Sequence, residues 1–206
     1  MAIATQADAS GRITFAAYVS LISALMGSFQ FGWNTQVLNG TGPAINAFTG
    51  TDPHSALWSF INALFPLGGM LGALVSGNIA DRTGRKLYMA LNSLFFIAAG
   101  VLFFISASIE GHAGCLAVLS VARFLTGLGG GGATVVVPIY VGEIAMRRHR
   151  GAFGALCQLA CVTGLLATGT MGMQVNEGTE WRWTLGMTAV FGVVSLISSP
   201  FILESP

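Results

Sequence analysis

Six apolar runs constrain this chain more than any other feature. They fall at roughly 13–38, 57–80, 87–108, 115–141, 151–173 and 183–203. A continuous run beyond about 18 apolar residues is long enough to cross a bilayer as a helix. A membrane barrel would show alternating segments of about 10 residues instead. The expected fold class is therefore an all-α membrane protein with six transmembrane helices. Composition agrees: 53% of the 206 residues are hydrophobic and only 8% are charged. A soluble domain carries about three times that charge. Because the basic residues are scattered between spans, nucleic acid is not an expected partner. The lipid bilayer is.

The placement of Lys and Arg sets the expected orientation. With the N-terminus inside, Arg12, Arg82, Arg85, Lys86, Arg147, Arg148 and Arg150 are cytoplasmic, seven of the nine basic residues. Basic residues close to a span resist translocation. Both termini are thus expected in the cytoplasm. The stretch 40–56, with Pro43 and His54, reads as the longest outer connection. Met1–Ser10 holds no Lys or Arg, and the first run is too long for a signal peptide.

Within the spans, the polar residues are informative. Span 1 ends in FQFGWNTQVLNGTGP, with Gln30, Asn34, Thr35, Gln36 and Asn39. Buried amides need partners, so this helix is expected to face protein or a wet cavity rather than lipid. Phe31, Thr35 and Asn39 recur every four residues and share one face. The alternative is a helix frayed at the interface. Span 3 is aromatic and aliphatic and reads as a lipid-facing scaffold. In span 4, Arg123 lies about eight residues from Cys115, roughly 12 Å into the helix. An Arg at that depth needs a partner or water and points to function; otherwise it snorkels to the surface. In span 5, Gln158 is the strongly polar side chain, with Cys161 and Leu165 on its face. It is either interhelical glue or a ligand contact.

Two connecting loops carry most of the charge. The first, GNIADRTGRK, puts Asp81, Arg82, Gly84, Arg85 and Lys86 between spans 2 and 3. The second, GEIAMRRHRG, holds Glu143 and Arg150 between spans 4 and 5. Both share one membrane face, so acids and bases of the two loops can meet. Singly, such exposed pairs contribute about 0–1 kcal/mol. As a network made in one state and broken in another, they can bias a conformational equilibrium. Spans 1–3 and 4–6 have similar lengths and opposite orientations, the pattern of a 3+3 inverted repeat with a site between the repeats. The three cysteines show no metal spacing. No metal, cofactor, paired carboxylates or nucleophile beside a base is apparent, so no enzyme is expected.

Taken in order, QFGWNTQVLN, GNIADRTGRK, RFLTGLGGG, PIYVGEIAMRRHRG, GALCQLACVTGLL and the terminal ESP resemble the sugar porters of the major facilitator superfamily, nearest their facilitative hexose transporters. The resemblance implies a twelve-helix fold in two six-helix halves that close alternately around one sugar. This chain, residues 1–206, matches the N-terminal half, so the implied partners are a small neutral sugar and the missing C-terminal half or a second half-carrier. The resemblance places Phe31, Thr35, Asn39, Gln158, Cys161 and Leu165 around the sugar, where the Gln158 amide offers both donors and an acceptor. It makes Asp81, Arg82, Gly84, Arg85, Lys86, Glu143 and Arg150 a conformational latch favouring the outward-facing state. Proton-coupled relatives carry Asp where Asn34 stands, near the Arg matching Arg123. An amide does not titrate in this range. The implied function is facilitated diffusion of a hexose such as glucose across the plasma membrane. The alternatives are a proton-coupled sugar or polyol symporter and a non-transporting sugar sensor or regulatory half.

Overall fold

A computed structural model describes residues 15–109, 111–145, 149–174 and 179–203. Arg12, Arg147, Arg148 and the terminal Glu204-Ser205-Pro206 lie outside the described residues. Among the described residues there are six α-helices: α1 (Phe15–Thr49), α2 (Ala56–Thr83), α3 (Arg85–Ser106), α4 (His112–Ile144), α5 (Arg150–Gln174) and α6 (Trp181–Ser198). A short 3₁₀ turn, Ser199–Phe201, follows. Five of the helices are long and apolar enough to cross a membrane.

The first helix corrects the sequence reading. It does not stop near residue 38 but continues through Pro43 to Thr49, so the expected long outer loop shrinks to a few residues. Gly40, which falls in the stretch read as the outer connection, is a packing residue: a Cβ there would sit 2.9 Å from Cα of Gly172 on α5. Thr41 and Thr49 turn inward and donate to the carbonyls of Val37 and Ile45, at 2.7 and 2.8 Å. These bonds satisfy the hydroxyls without help from outside the helix. Ser55 then caps α2 by accepting from the Trp58 N–H, 3.2 Å.

The packing shows the inverted repeat that sequence identity was too weak to establish. α1 packs chiefly on α5, α2 on α4, and α3 on α6. Exchanging the triplets (1 for 4, 2 for 5, 3 for 6) maps each pair onto a pair. The chemistry of the first two contacts is also alike. A Cβ on Gly32 or Gly164 would collide with backbone across the α1–α5 seam, and one on Gly68 or Gly131 would do so across α2–α4. Small residues let helices approach in a solvent that supplies no hydrophobic drive between them.

Two apolar clusters lie at opposite ends of the bundle. One gathers Val37, Ile45, Trp58, Phe103, Leu119 and Trp181; the other gathers Leu21, Ala24, Val137, Tyr140 and Ile144. Between them, by position along each helix, lies a polar layer: Gln30 and Asn34 of α1, Asn92 of α3, Arg123 and Thr126 of α4 and Thr188 of α6, all buried. The outward faces of α3 and α6 are apolar, with Leu91, Leu94, Val101, Val190, Val194 and Ile197 exposed, as lipid contact requires. α3 is nevertheless more than a lipid-facing scaffold. Its inner face sends Asn92 to the carbonyl of Gly129, 2.9 Å away, and brings the Tyr88 hydroxyl against Gly132.

Candidate functional site

One face of α1 and α5 carries polar side chains into the open. The close approach of Gly32 to the Cys161 carbonyl sets the two helices at a common level. Phe31, Thr35 and Asn39 run along α1; Gln158, Cys161 and Leu165 run along α5. Thr35, Asn39 and Gln158 are exposed, and Phe31, Cys161 and Leu165 are half-buried. The Thr35 hydroxyl donates to the Phe31 carbonyl, 2.7 Å. The Asn39 amide donates to Gln36 Oε1, 3.0 Å. Gln158 has no protein partner among the described residues, so its two donors and its acceptor are free. A neutral polyhydroxy solute is the ligand class such a surface can hold, because amides and hydroxyls exchange hydrogen bonds with sugar hydroxyls without adding charge.

Behind this face sits Arg123, only 3% exposed. It does not snorkel. Its Nη1 donates to the main-chain carbonyl of Asn34, 2.7 Å, and its guanidinium lies 4.7 Å over the ring of Phe65. Phe65 in turn stacks on Phe31 at 5.8 Å between centroids. The buried cation is thus joined to the open face through two aromatic rings. The Asn34 side chain does not bond Arg123. Its Nδ2 donates to the Gln30 carbonyl at 2.9 Å, and its Oδ1 accepts from the Thr188 hydroxyl at 3.1 Å. Thr188 gave no signal in the sequence, since a Thr in a span usually bonds its own helix. Asn92 was likewise hidden among aromatics, although Tyr88, Asn92 and Phe96 share a helical face.

The charged loops form a smaller set than the sequence implied. Arg85 is the hub. It reaches Glu143 through Nη2, 3.2 Å, and Nε, 3.5 Å, and Asp81 through Nη1, 2.5 Å. The pair with Glu143 ties the start of α3 to the end of α4. Lys86 is not in this set: it donates to the Pro200 carbonyl, 2.7 Å. Nor is Arg150, which reaches the Ala145 carbonyl at 3.5 Å. Both cations meet free carbonyls at helix ends, where positive charge is favoured. Arg82 is exposed and makes no ion pair among the described residues. Gly84 joins α2 to α3 at φ 88° and ψ 148°, a conformation essentially confined to glycine. Nearby, Ser20 and Tyr140 hold the carbonyls of Phe201 and Leu203 at 2.9 and 2.8 Å, strapping the end of α6 to α1 and α4.

Comparison with known proteins follows the same division. The sequence profile of a family described as "Sugar (and other) transporter" matches residues 19–206. A facilitated glucose transporter, member 3 of solute carrier family 2 from Ovis aries, is 36% identical over 95% of this chain and 42% of its own length. Member 5 from Equus caballus is 32% identical over 95% of this chain and 41% of its own length. The chain therefore spans less than half of either relative. Among solved structures, the inward-open xylose transporter XylE from E. coli superposes with a TM-score of 0.81 at 22% identity. That match covers 92% of this chain and 49% of XylE. The chain thus spans about half of that solved structure.

Proposed function

Since the chain belongs to the sugar (and other) transporter family and is a multi-pass membrane protein, we propose that it forms the N-terminal half of a carrier for a hexose such as glucose. The carrier works by alternating access, in the plasma membrane, with both chain termini cytoplasmic. The observation that carries this reading is the open face of α1 and α5, where Gln158 keeps an unpartnered amide beside Thr35 and Asn39. In this reading the second half supplies the opposite wall and the sugar lies between. Phe31, Cys161 and Leu165 give the apolar ground against which sugar rings pack.

The Arg85–Glu143–Asp81 set acts as the latch. It holds α3 and α4 together at the cytoplasmic end in the outward-facing state and loosens when that end opens. Transport is facilitated diffusion, because the coupling position holds Asn34, whose amide is engaged by Gln30 and Thr188 and does not exchange a proton. The test is uptake of labelled glucose, xylose and a polyol into proteoliposomes by the complete carrier that contains this half. Glucose uptake that follows its gradient without moving protons supports the proposal. Sugar-driven proton uptake by the native sequence would refute the uniport reading. Asn34→Asp should create such coupling.

A further inference from the structure

On the opposite side of the bundle, away from the open polar face, α3 and α6 leave a groove of about 280 Å³. Gly100 and Gly186 line it, where a Cβ would meet the Ala189 backbone and the Phe104 ring respectively, and its walls include Val101, Phe104, Trp183 and Val190. One end is different. The Arg182 guanidinium lies 5.6 Å over the Phe104 ring and 5.7 Å over the Trp183 ring, both walls of the groove. Phe104 and Trp183 meet edge to face at 5.1 Å, which fixes this end. Arg182 makes no ion pair among the described residues, and its Nε is buried without a protein partner. It stands in the first turn of α6, at the membrane boundary opposite the Arg85 hub, where Trp183 suits the interfacial belt.

We propose that this groove is a phospholipid site, with the headgroup phosphate on Arg182 and an acyl chain lying along Gly100, Val101 and Val190. The layout matches the ligand: one cationic, aromatic end at headgroup depth, then an apolar channel running toward the bilayer interior. Guanidinium donors suit phosphate oxygens. Free phosphate would leave the apolar channel unused, and a phosphate-free lipid would leave Arg182 unused.

The test uses the complete carrier that contains this half, in phosphatidylcholine nanodiscs containing a trace of phosphatidylcholine with a photoreactive acyl chain. Diacylglycerol with the same photoreactive chain serves as the comparison. Cross-links are mapped by mass spectrometry. The phosphatidylcholine probe should label the groove walls in preference to the diacylglycerol probe. Arg182→Gln should reduce that labelling about fivefold, the effect of roughly 1 kcal/mol for one cation at a membrane surface. Arg182→Lys should retain most of it. Val190→Trp, on a side chain already 49% exposed, should block the groove to both probes without touching the helix seam. Equal labelling by the two probes, with Arg182→Gln unchanged, would reduce the groove to ordinary lipid contact and overturn the proposal. Displacement by inorganic phosphate would overturn it in favour of a free-anion site.

Discussion

Two polar rows run along α1, and they do different work with similar side chains. Gln30, Asn34 and Thr41 face inward and are almost fully buried. Phe31 and Thr35, one position beyond Gln30 and Asn34, and Asn39, two positions before Thr41, follow the open face. In the inner row the Asn34 side chain is committed on both sides, to Gln30 of its own helix and to Thr188 of α6, and the Asn34 carbonyl holds Arg123. In the outer row the bonds of Thr35 and Asn39 stay within α1, and across the seam Gln158 is free. A polar group in a membrane helix is costly only when left unpartnered. Asn34 and Thr41 meet that demand with protein and become structure, whereas the Gln30 amide is buried with no protein partner among the described residues. The outer row leaves part of its capacity open, which is what the proposed sugar-binding surface needs.

Substitutions should separate the rows. The largest stability loss is expected for Arg123→Ala. It empties the space over Phe65 and removes the cross-helix donor to the Asn34 carbonyl, for a loss of about 3 kcal/mol. In detergent this reads as a clear fall in melting midpoint. Thr35→Ala on the outer row should shift the midpoint by less than about 0.5 kcal/mol equivalent. Comparable shifts for both would erase the distinction. Next comes Asn34→Leu, which leaves the buried Thr188 hydroxyl without its acceptor and should cost about 2 kcal/mol. Thr188→Val combined with Asn34→Leu should then cost less than the two single changes added together, because both remove one bond.

A smaller energy, with a functional readout, is expected for Gln158→Ala. Its melting midpoint should match the native chain. Sugar affinity of the complete carrier, measured by equilibrium binding, should fall about tenfold, or roughly 1.4 kcal/mol. Lowered stability with unchanged affinity would move Gln158 to the inner category. The smallest effect is assigned to Glu143→Gln at the exposed end. The Arg85 pair is partly solvated, so its loss should shift the conformational equilibrium by no more than about 1 kcal/mol. The difference between native and variant should shrink as ionic strength rises. Cysteine accessibility at the Arg85 end of the bundle reads that shift.

Much of this was legible in the chain itself. The helices, the resemblance to sugar porters and the charged turn around Gly84 are properties of runs and spacings. The long α1 was not, because Gly40, Gly42 and Pro43 look like loop residues when read locally. They form helix here because α5 approaches at Gly172 and the threonine hydroxyls bond within the helix. The resemblance places Lys86 and Arg150 in the latch, and their charges allow it. Which carbonyl or carboxylate each cation meets depends on helix ends brought together from distant parts of the chain.

By itself, the sequence determined what must leave water and what cannot enter lipid alone: apolar runs of membrane length, with amides and a cation interrupting them. Those are energies of single segments against a solvent, and they need no neighbour to be counted. Only the tertiary structure decided which polar groups are spent on other helices and which stay open. Asn34 and Thr35 are adjacent residues with like chemistry. A 100° turn of the helix gives one to Thr188 and leaves the other on the open face, and that choice exists only once α6 and α5 are in place.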